Sequence, residues 1–274
     1  MRAGLVQSTI SMGLWSEVNL DRYLVLGNPV EHSLSPLIHG LFAEQTEIAI
    51  SYDKRLVPID SFSEELIGLV DQGYRGFNVT VPFKLDAFDL VSDRDQNASE
   101  AGAVNTIKVK PGGELEGCNT DGIGLSRDLT TRLRIPVAGK KILILGAGGA
   151  ARGIIGPLIR LNPNSLTLAN RTIKKAEVLS NYFQKSNDSV RINWVKLDEV
   201  GRSYDLIINA SAIGLYGDSQ LISDQAVRNK VCYDLSYGAN AKFARWAEQA
   251  SAAMVSDGLG MLVEQAAESF YIWR

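Results

Sequence analysis

A glycine-rich turn between a strand and a helix is the feature that most restricts how this chain can fold. The stretch KKILILGAGGAARG, residues 140–153, leads from an apolar segment into a helical pattern. Gly146 permits a tight turn, Gly148 lets the backbone approach a pyrophosphate, and Ala151 keeps the helix close to the strand. The N-terminus of that helix supplies N–H groups to an anion. The pattern predicts a dinucleotide-binding unit; the alternative is a tight strand-to-helix turn without a ligand.

The residues after the next strand indicate which dinucleotide is bound. An NAD site usually has an acidic residue at the end of this strand, where it binds the ribose 2′-hydroxyl. The stretch LANRTIKK has Asn170 at that place, followed by Arg171, Thr172 and Lys175. A neutral residue followed by cations suits a 2′-phosphate, which a carboxylate would repel. We therefore predict NADP(H) as the cofactor. A solvated basic helix start is the alternative.

Short β-rich segments alternate with segments of helical length from Tyr23 onward. The alternation predicts an α/β fold with a largely parallel sheet, present in two units. We expect two α/β domains around a cleft, of which the second is a Rossmann-type NADP-binding domain. The first domain is expected to comprise residues 21–121 with 257–274, and the second residues 122–256. Residues 1–20 are expected to be an N-terminal extension and a candidate disordered arm.

Composition excludes several classes of function. The net charge of −3 and the pI near 5.5 argue against a dedicated surface for nucleic acid or anionic membranes. Cys118 and Cys232 form no disulfide framework, and with only His32 and His39 beside them they are too few for a His/Cys metal site. No apolar run approaches the length of a membrane span. The expected location is the cytoplasm, with no metal and no nucleic-acid or membrane partner.

Four polar motifs of the first half, HSLSP, NVTVPFK, GAVNT and NTDG, lie near predicted strand ends, where small ligands bind in α/β sheets. Ser33 and Ser35 are separated by one residue, so both hydroxyls can address one anion or polyol; the alternative is that one of them caps a helix. Pro82 ends a strand two residues before Lys84. The motif alone leaves open whether Lys84 is a solvated charge or an ammonium presented to a ligand.

Together these motifs resemble the shikimate dehydrogenase family over roughly residues 23–273. The matching stretches are GNPVEHSLSPLIH, NVTVPFK, GAVNT, NTDG, GAGGAARG, NRT and DGLGMLVEQAA. The resemblance implies NADPH-dependent, reversible reduction of 3-dehydroshikimate to shikimate, on the pathway to aromatic amino acids, by a monomer or homodimer that acts on a small molecule. The alternatives are a quinate/shikimate or aminoshikimate dehydrogenase on the same scaffold, and a catalytically silent NADP-binding regulator.

The resemblance also implies roles for individual residues. It makes Lys84 and Asp121 the catalytic pair. The implied substrate-binding residues are Ser33 and Ser35 for the carboxylate, Asn105 and Asp121 for ring hydroxyls, and Thr80, Lys84, Tyr237 and Gln265. The implied cofactor-binding residues are Gly146, Ala147, Gly148, Gly149 and Ala150 at the pyrophosphate, Asn170, Arg171, Thr172 and Lys175 at the adenosine phosphate, and Leu235 and Gly258 towards the nicotinamide.

The chain departs from the family pattern in three places. It stops at Arg274, without the usual further C-terminal helix, and about twenty residues precede Tyr23. The stretch 209–214, NASAIG, is more apolar than the hydroxyl-rich loop of the family, which leaves cofactor contacts from Ser211 and Ala212 open. His32 and His39 flank the serine motif, and without a paired nucleophile or metal set we interpret both as structural.

Overall fold

The computed structural model describes residues 20–211 and 221–274, which form two six-stranded sheets with helices packed against them. This arrangement confirms the α/β fold with two units. Within the described residues, no helix has the length and apolar character needed to cross a membrane.

The first sheet has the strand order β2-β1-β3-β5-β6-β4. Strand β1 pairs in parallel with β2 and β3, whereas β5 is antiparallel to both β3 and β6. Leu26, Phe77 and Ile107 are fully buried in its core. Its strands are β1 (Asp21–Gly27), β2 (Ile50–Leu56), β3 (Gly76–Val79), β4 (Asp93–Arg94), β5 (Thr106–Val109) and β6 (Leu115–Cys118), and the helices between them are α1 (Ser35–Thr46), α2 (Phe62–Asp71), α3 (Lys84–Leu90) and α4 (Gln96–Ala101).

The second sheet has the order β12-β11-β10-β7-β8-β9, and all its pairings are parallel. If β7 is numbered as strand 1, the order read from the β9 edge is 3-2-1-4-5-6, which is the order of the Rossmann fold. The strand order reverses between the neighbouring strands β7 and β10. Its strands are β7 (Lys141–Leu145), β8 (Ser165–Ala169), β9 (Arg191–Val195), β10 (Leu206–Asn209), β11 (Val231–Asp234) and β12 (Met254–Ser256).

The helices of the second half begin with α5, which a single π-helical turn, Asp128–Arg132, continues. Strand β7 reads KILIL because both of its faces are covered: Ile142 and Ile144 belong to one apolar core, and Leu143 and Leu145 to another. The helices are α5 (Asp121–Arg127), α6 (Gly149–Arg160), α7 (Ile173–Lys185), α8 (Asp224–Val227), α9 (Lys242–Gln249) and α10 (Leu259–Trp273).

Helix α10 joins the two units. At its start, Met261 packs into the core around β7. At its end, Trp273 stacks on Tyr23 with ring centroids 4.6 Å apart, and its indole donates a hydrogen bond of 3.0 Å to the Ile107 carbonyl. The contacts of Trp273 support placing residues 257–274 with the first domain. That assignment stays a prediction, because the same helix also enters the second core.

Candidate active site

A cavity of about 540 Å³ lies between the two units. The residues after β1 and β3 line it from one side, and the residues after β7, β8 and β11 line it from the other. The carboxyl ends of parallel strands are the usual place for ligands in α/β sheets. All substrate and cofactor residues expected from the sequence line this one cavity: Ser33, Ser35, Thr80, Lys84, Asn105, Asp121, Gly146, Ala147, Gly148, Gly149, Ala150, Asn170, Arg171, Thr172, Lys175, Leu235, Tyr237, Gly258 and Gln265.

Lys84 and Asp121 form an ion pair at the floor of the cavity. Each is the first residue of a helix: α3 follows β3 after a short turn, and α5 follows β6. The Lys84 ammonium donates a hydrogen bond to Asp121 Oδ2, and their side chains are 12% and 6% exposed. An ammonium has three N–H donors, and Asp121 is the only partner of this one in the described part of the chain. Donors therefore remain for a substrate oxygen.

The second carboxylate oxygen of Asp121 is held from behind. Asp121 Oδ1 accepts a hydrogen bond of 2.8 Å from the Asn105 amide. Asn105 is fixed in turn, because its Oδ1 accepts from the Thr120 backbone N–H at 2.9 Å and from the Thr106 hydroxyl at 3.0 Å. Gln265, from α10, accepts from the Asn105 amide at 3.3 Å. The carboxylate thus has a fixed orientation before any ligand arrives.

Further polar residues extend this network, and the sequence reasoning gave them no role. The Thr106 and Ser269 hydroxyls are 2.8 Å apart, Asn78 donates to Ser269 Oγ at 3.0 Å, and the Tyr52 hydroxyl donates to Asn78 Oδ1 at 2.7 Å. Asn78, Thr106 and Thr120 all lie inside motifs quoted above, so a signal was present for them. Ser269, in the last helix, had no such signal. Buried polar groups of this kind are costly unless all are satisfied.

The serine motif lies at one side of the cavity. Ser33 Oγ donates to Ser35 Oγ at 3.1 Å and accepts from the Ser35 backbone N–H at 3.3 Å. Leu34, and neither serine, is the N-cap of α1. The hydroxyl of Tyr237 reaches this loop from the other unit: it donates to the His32 carbonyl and accepts from the Leu34 N–H, both at 3.4 Å. Burial raises the pKa of Tyr237, so its phenol stays protonated.

The two histidines differ in environment. His32 is exposed at the rim of the cavity. His39 is fully buried and stacks on Tyr52 with ring centroids 4.2 Å apart. Neither of its ring nitrogens has a hydrogen-bond partner in the described part of the chain, and burial lowers the pKa of His39 to about 3. No three His, Cys, Asp or Glu side chains of residues 20–211 and 221–274 are grouped so that they could hold a metal ion.

The glycine-rich turn connects β7 to α6 as a pyrophosphate site requires. Gly146 has a φ of +119°, and a Cβ there would lie 2.8 Å from the Ala210 carbonyl oxygen, so the turn has no room for a side chain. Gly148 is the N-cap of α6, and no side chain caps this helix. Its first N–H groups therefore remain available to an anion at the rim of the cavity. These features fit a dinucleotide pyrophosphate.

The cationic residues after β8 are exposed and have no acidic neighbour paired with them. Neither Arg171 nor Lys175 forms an ion pair with any carboxylate among the described residues. The Asn170 amide donates to the Thr172 carbonyl at 3.0 Å, which fixes the turn that presents them. This donor set fits a 2′-phosphate better than a 2′-hydroxyl.

The third part of the expected cofactor site lies after β11. Leu235 and Gly258 are in contact there, since a Cβ at Gly258 would lie 2.2 Å from the Leu235 carbonyl oxygen. Ser211 lines the cavity, but its hydroxyl already donates to Asn209 Oδ1 at 2.6 Å. Ala212 lies outside the described residues.

A doubly wound sheet with a glycine-rich turn, facing a second α/β unit that contributes a lysine–aspartate pair, defines the class of two-domain NADP-dependent dehydrogenases. Three family descriptions match the chain: shikimate dehydrogenase substrate binding domain over residues 25–107, shikimate / quinate 5-dehydrogenase over residues 129–231, and shikimate 5'-dehydrogenase C-terminal domain over residues 258–274. The chain belongs to the shikimate dehydrogenase family.

Individual relatives agree with this placement. The shikimate dehydrogenase (NADP(+)) of Methylobacillus flagellatus is 45% identical over 262 residues, which are 93% of this chain and 94% of the relative. The crystal structure of shikimate dehydrogenase from Aquifex aeolicus has a TM-score of 0.83 at 31% identity and covers 94% of this chain and 93% of its own. Shikimate 5-dehydrogenase from Thermus thermophilus in complex with NADP(H) and shikimate has a TM-score of 0.77 at 30% identity and covers 93% of each chain.

Proposed function

We propose that the protein catalyses the reversible, NADPH-dependent reduction of 3-dehydroshikimate to shikimate, a step on the pathway to aromatic amino acids. The observation that carries the proposal is the buried Lys84–Asp121 pair, which faces the cavity that the glycine-rich turn also lines. The 45% identity to a shikimate dehydrogenase (NADP(+)) over 93% of the chain supports the same reaction.

The proposed chemistry divides between Lys84 and Asp121. NADPH, when bound, would supply a hydride to the carbonyl carbon. The Lys84 ammonium stabilises the negative charge that develops on the carbonyl oxygen and donates a proton to it. Asp121 orients the ammonium with Oδ2 and binds the same hydroxyl of the substrate, while Asn105 keeps Oδ1 in place.

We assign the remaining residues by their position along the cavity. Ser33 and Ser35 bind the substrate carboxylate, and Thr80, Asn105, Tyr237 and Gln265 complete the substrate pocket. Residues 146–150 would hold the pyrophosphate of NADP(H), and Leu235 and Gly258 would face its nicotinamide. The residues that would hold the 2′-phosphate are Asn170, Arg171, Thr172 and Lys175. On this assignment residues 21–121 with 257–274 bind the substrate and residues 122–256 bind NADP.

We further propose that the enzyme acts in the cytoplasm as a monomer or homodimer. Cys118 and Cys232 are both free and buried, which suits a reducing compartment. Burial raises the pKa of both thiols to about 12, so neither is a reactive thiolate at neutral pH. Sedimentation velocity on the purified protein would give the oligomeric state.

The test is NADP⁺ reduction by the purified protein with shikimate and quinate in parallel. We expect turnover of shikimate, with NADP⁺ preferred over NAD⁺. A higher kcat/KM for quinate would favour the quinate/shikimate dehydrogenase alternative, which the description of the family matched over residues 129–231 makes the leading competitor. Binding of NADP⁺ without turnover of either compound would favour the silent regulator and contradict the proposal.

A further inference from the structure

One face of α6 lies against the start of α3, in the first unit, and against the start of α5. Gly149, Gly153 and Pro157 are four residues apart, so they lie on the same side of this helix. A Cβ at Gly149 would lie 3.2 Å from Lys84 Cβ. At the other end of the face, the Pro157 ring is so close to Gly122 that a Cβ there would lie 2.2 Å from Pro157 Cγ. The helix that begins at the cofactor turn therefore runs directly beneath both proposed catalytic residues.

Gly153 occupies the centre of this face. A Cβ at this position would lie 2.8 Å from Asn119 Oδ1 and 3.0 Å from Asp121 Oδ2, the oxygen that binds the Lys84 ammonium. Both distances are shorter than van der Waals contact, so a side chain at position 153 requires both neighbours, or α6 itself, to move. The absence of a side chain at Gly153 is what allows α6 to approach the Asp121 carboxylate.

The neighbours of Gly153 cannot retreat easily. Asn119 is buried, its amide donates to the Ala103 carbonyl at 2.9 Å, and its Oδ1 accepts from the Asp121 backbone N–H at 3.2 Å. The other oxygen of Asp121 is bound to Asn105. The clash of a methyl group at position 153 would therefore be relieved by a shift of the Asp121 carboxylate or of α6 itself.

The backbone does not require glycine at position 153. The residue lies in the interior of α6, and its φ is not in the left-handed region. Glycine is a poor helix former, second only to proline, so its presence there weakens the helix. The roles usual for the fingerprint belong to Gly146, Gly148 and Ala151. Close approach to Asp121 is the remaining physical reason for Gly153.

We propose that Gly153, with a smaller contribution from Gly149, is a positioning residue that holds the Asp121 carboxylate and the Lys84 ammonium in their reactive arrangement. The proposal rests on the catalytic roles assigned above to Lys84 and Asp121. It also means that the cofactor's own helix supplies the surface on which the catalytic pair is supported. Binding of the cofactor at the N-terminus of α6 and alignment of the pair are then properties of one rigid element.

The test compares Gly153→Ala with Gly156→Ala in the full-length enzyme. Both changes replace a buried glycine in the interior of α6 with alanine, the residue of highest helix propensity. A Cβ at Gly156 would lie 2.8 Å from Glu100 Oε2, which is the end of a flexible, partly exposed side chain that can turn away. A misplacement of about 1 Å can cost on the order of 10²-fold in rate. We expect Gly153→Ala to lower kcat for shikimate oxidation about 10- to 100-fold with an unchanged KM for NADP⁺, and Gly156→Ala to stay within about twofold of the parent.

A second arm separates a positioning role from a general packing role. In an Asp121→Asn background the carboxylate is already gone, so Gly153→Ala should lower kcat by less than about twofold further, because residues that act as a unit are not additive. An equal loss from Gly153→Ala in both backgrounds would overturn the proposal, as would a kcat for Gly153→Ala equal to that of Gly156→Ala.

If the Gly153→Ala protein does not fold or does not bind NADP⁺, the Gly149→Ala variant is tested instead. The added methyl group meets the Lys84 side chain instead, at a distance that requires only a few tenths of an ångström of movement. We expect a loss of several-fold in kcat, and an unchanged kcat would overturn the proposal. Oxidation of shikimate by the parent enzyme tests the proposed function separately. If the parent is active and the glycine variants are equally active, only the positioning role is refuted.

Discussion

The two ends of the cavity are built on opposite principles. At the Lys84–Asp121 end the charges are nearly withdrawn from water, and each carboxylate oxygen already has a partner. At the Arg171–Lys175 end the cations are exposed, and no described carboxylate pairs with them. The first end is organised before any ligand binds, whereas the second obtains its counter-charge from the ligand. Changes at the first end should therefore act on rate, and changes at the second on cofactor affinity and its dependence on salt.

Lys84→Ala should give the largest effect, because it removes a group that acts on the reacting oxygen. Proton transfer by a positioned side chain is typically worth about 10²–10⁴ in rate, so we expect kcat for shikimate oxidation to fall by that order. The KM for shikimate should change less and the affinity for NADP⁺ hardly at all, since the interaction belongs mainly to the transition state. Steady-state kinetics would measure kcat and KM, and quenching of the protein's tryptophan fluorescence on titration with NADP⁺ would measure the cofactor affinity.

Lys196→Ala is the matched control for that variant, since Lys196 is exposed and pairs only with Glu199 among the described residues. It should retain the parent kcat. A Lys84→Ala enzyme that also turned over near the parent rate would show that the ion pair is structural, and the contrast between the two ends would lose its basis.

The double change Ser33→Ala with Ser35→Ala should act on substrate binding. A hydrogen bond to a charged group contributes about 1.5–3 kcal/mol, so losing both donors to the carboxylate should raise the KM for shikimate roughly a hundredfold or more, with little change in kcat. Ser61→Ala is the control, because Ser61 is a helix N-cap that makes no side-chain cap bond. A parent-like KM in the double variant would mean that the serines serve only the loop they share.

Arg171→Ala should lower the preference for NADPH over NADH, measured as the ratio of kcat/KM values. Loss of one charged hydrogen bond to the 2′-phosphate corresponds to roughly a ten- to hundredfold loss of selectivity. The effect should shrink as ionic strength rises, because the site is exposed. Lys174→Ala removes a neighbouring exposed cation that pairs with Glu177 instead, and it should keep the parent ratio. Equal kcat/KM for the two cofactors in the parent would refute the assignment.

The buried His39 should affect the free energy of unfolding, and this effect should be smallest near neutral pH. Its pKa is about 3 when folded against about 6.5 when unfolded, so the unfolded chain binds a proton that the folded one does not. The free energy of unfolding should therefore be unaffected above about pH 6.5 and fall by roughly 1.4 kcal/mol per pH unit as pH decreases below it. Urea unfolding of the parent and of His39→Phe would measure this.

The His39→Phe variant keeps an aromatic ring stacked on Tyr52 but has no titrating group. Its acid sensitivity should be smaller than the parent's by the slope just given. If the two proteins lost stability in parallel between about pH 6 and pH 4, the buried imidazole would not be the cause.

Sequence reasoning was strongest where neighbours in the chain decide the structure. The strand–turn–helix around Gly146 depends on a few consecutive residues, and the structure has this arrangement, with α6 beginning at Gly149. Reasoning was weaker where partners are distant: Ser269 meets Thr106 across 163 positions, and no local pattern announces that contact.

The order in which the chain is synthesised has a consequence for the first sheet. Translation produces β1 with Tyr23, then α1 with His39 and β2 with Tyr52, but the helix whose Trp273 packs against these rings follows much later. All six strands of the second sheet leave the ribosome in between. The aromatic side of the first sheet therefore stays uncovered on the nascent chain until α10 has been synthesised.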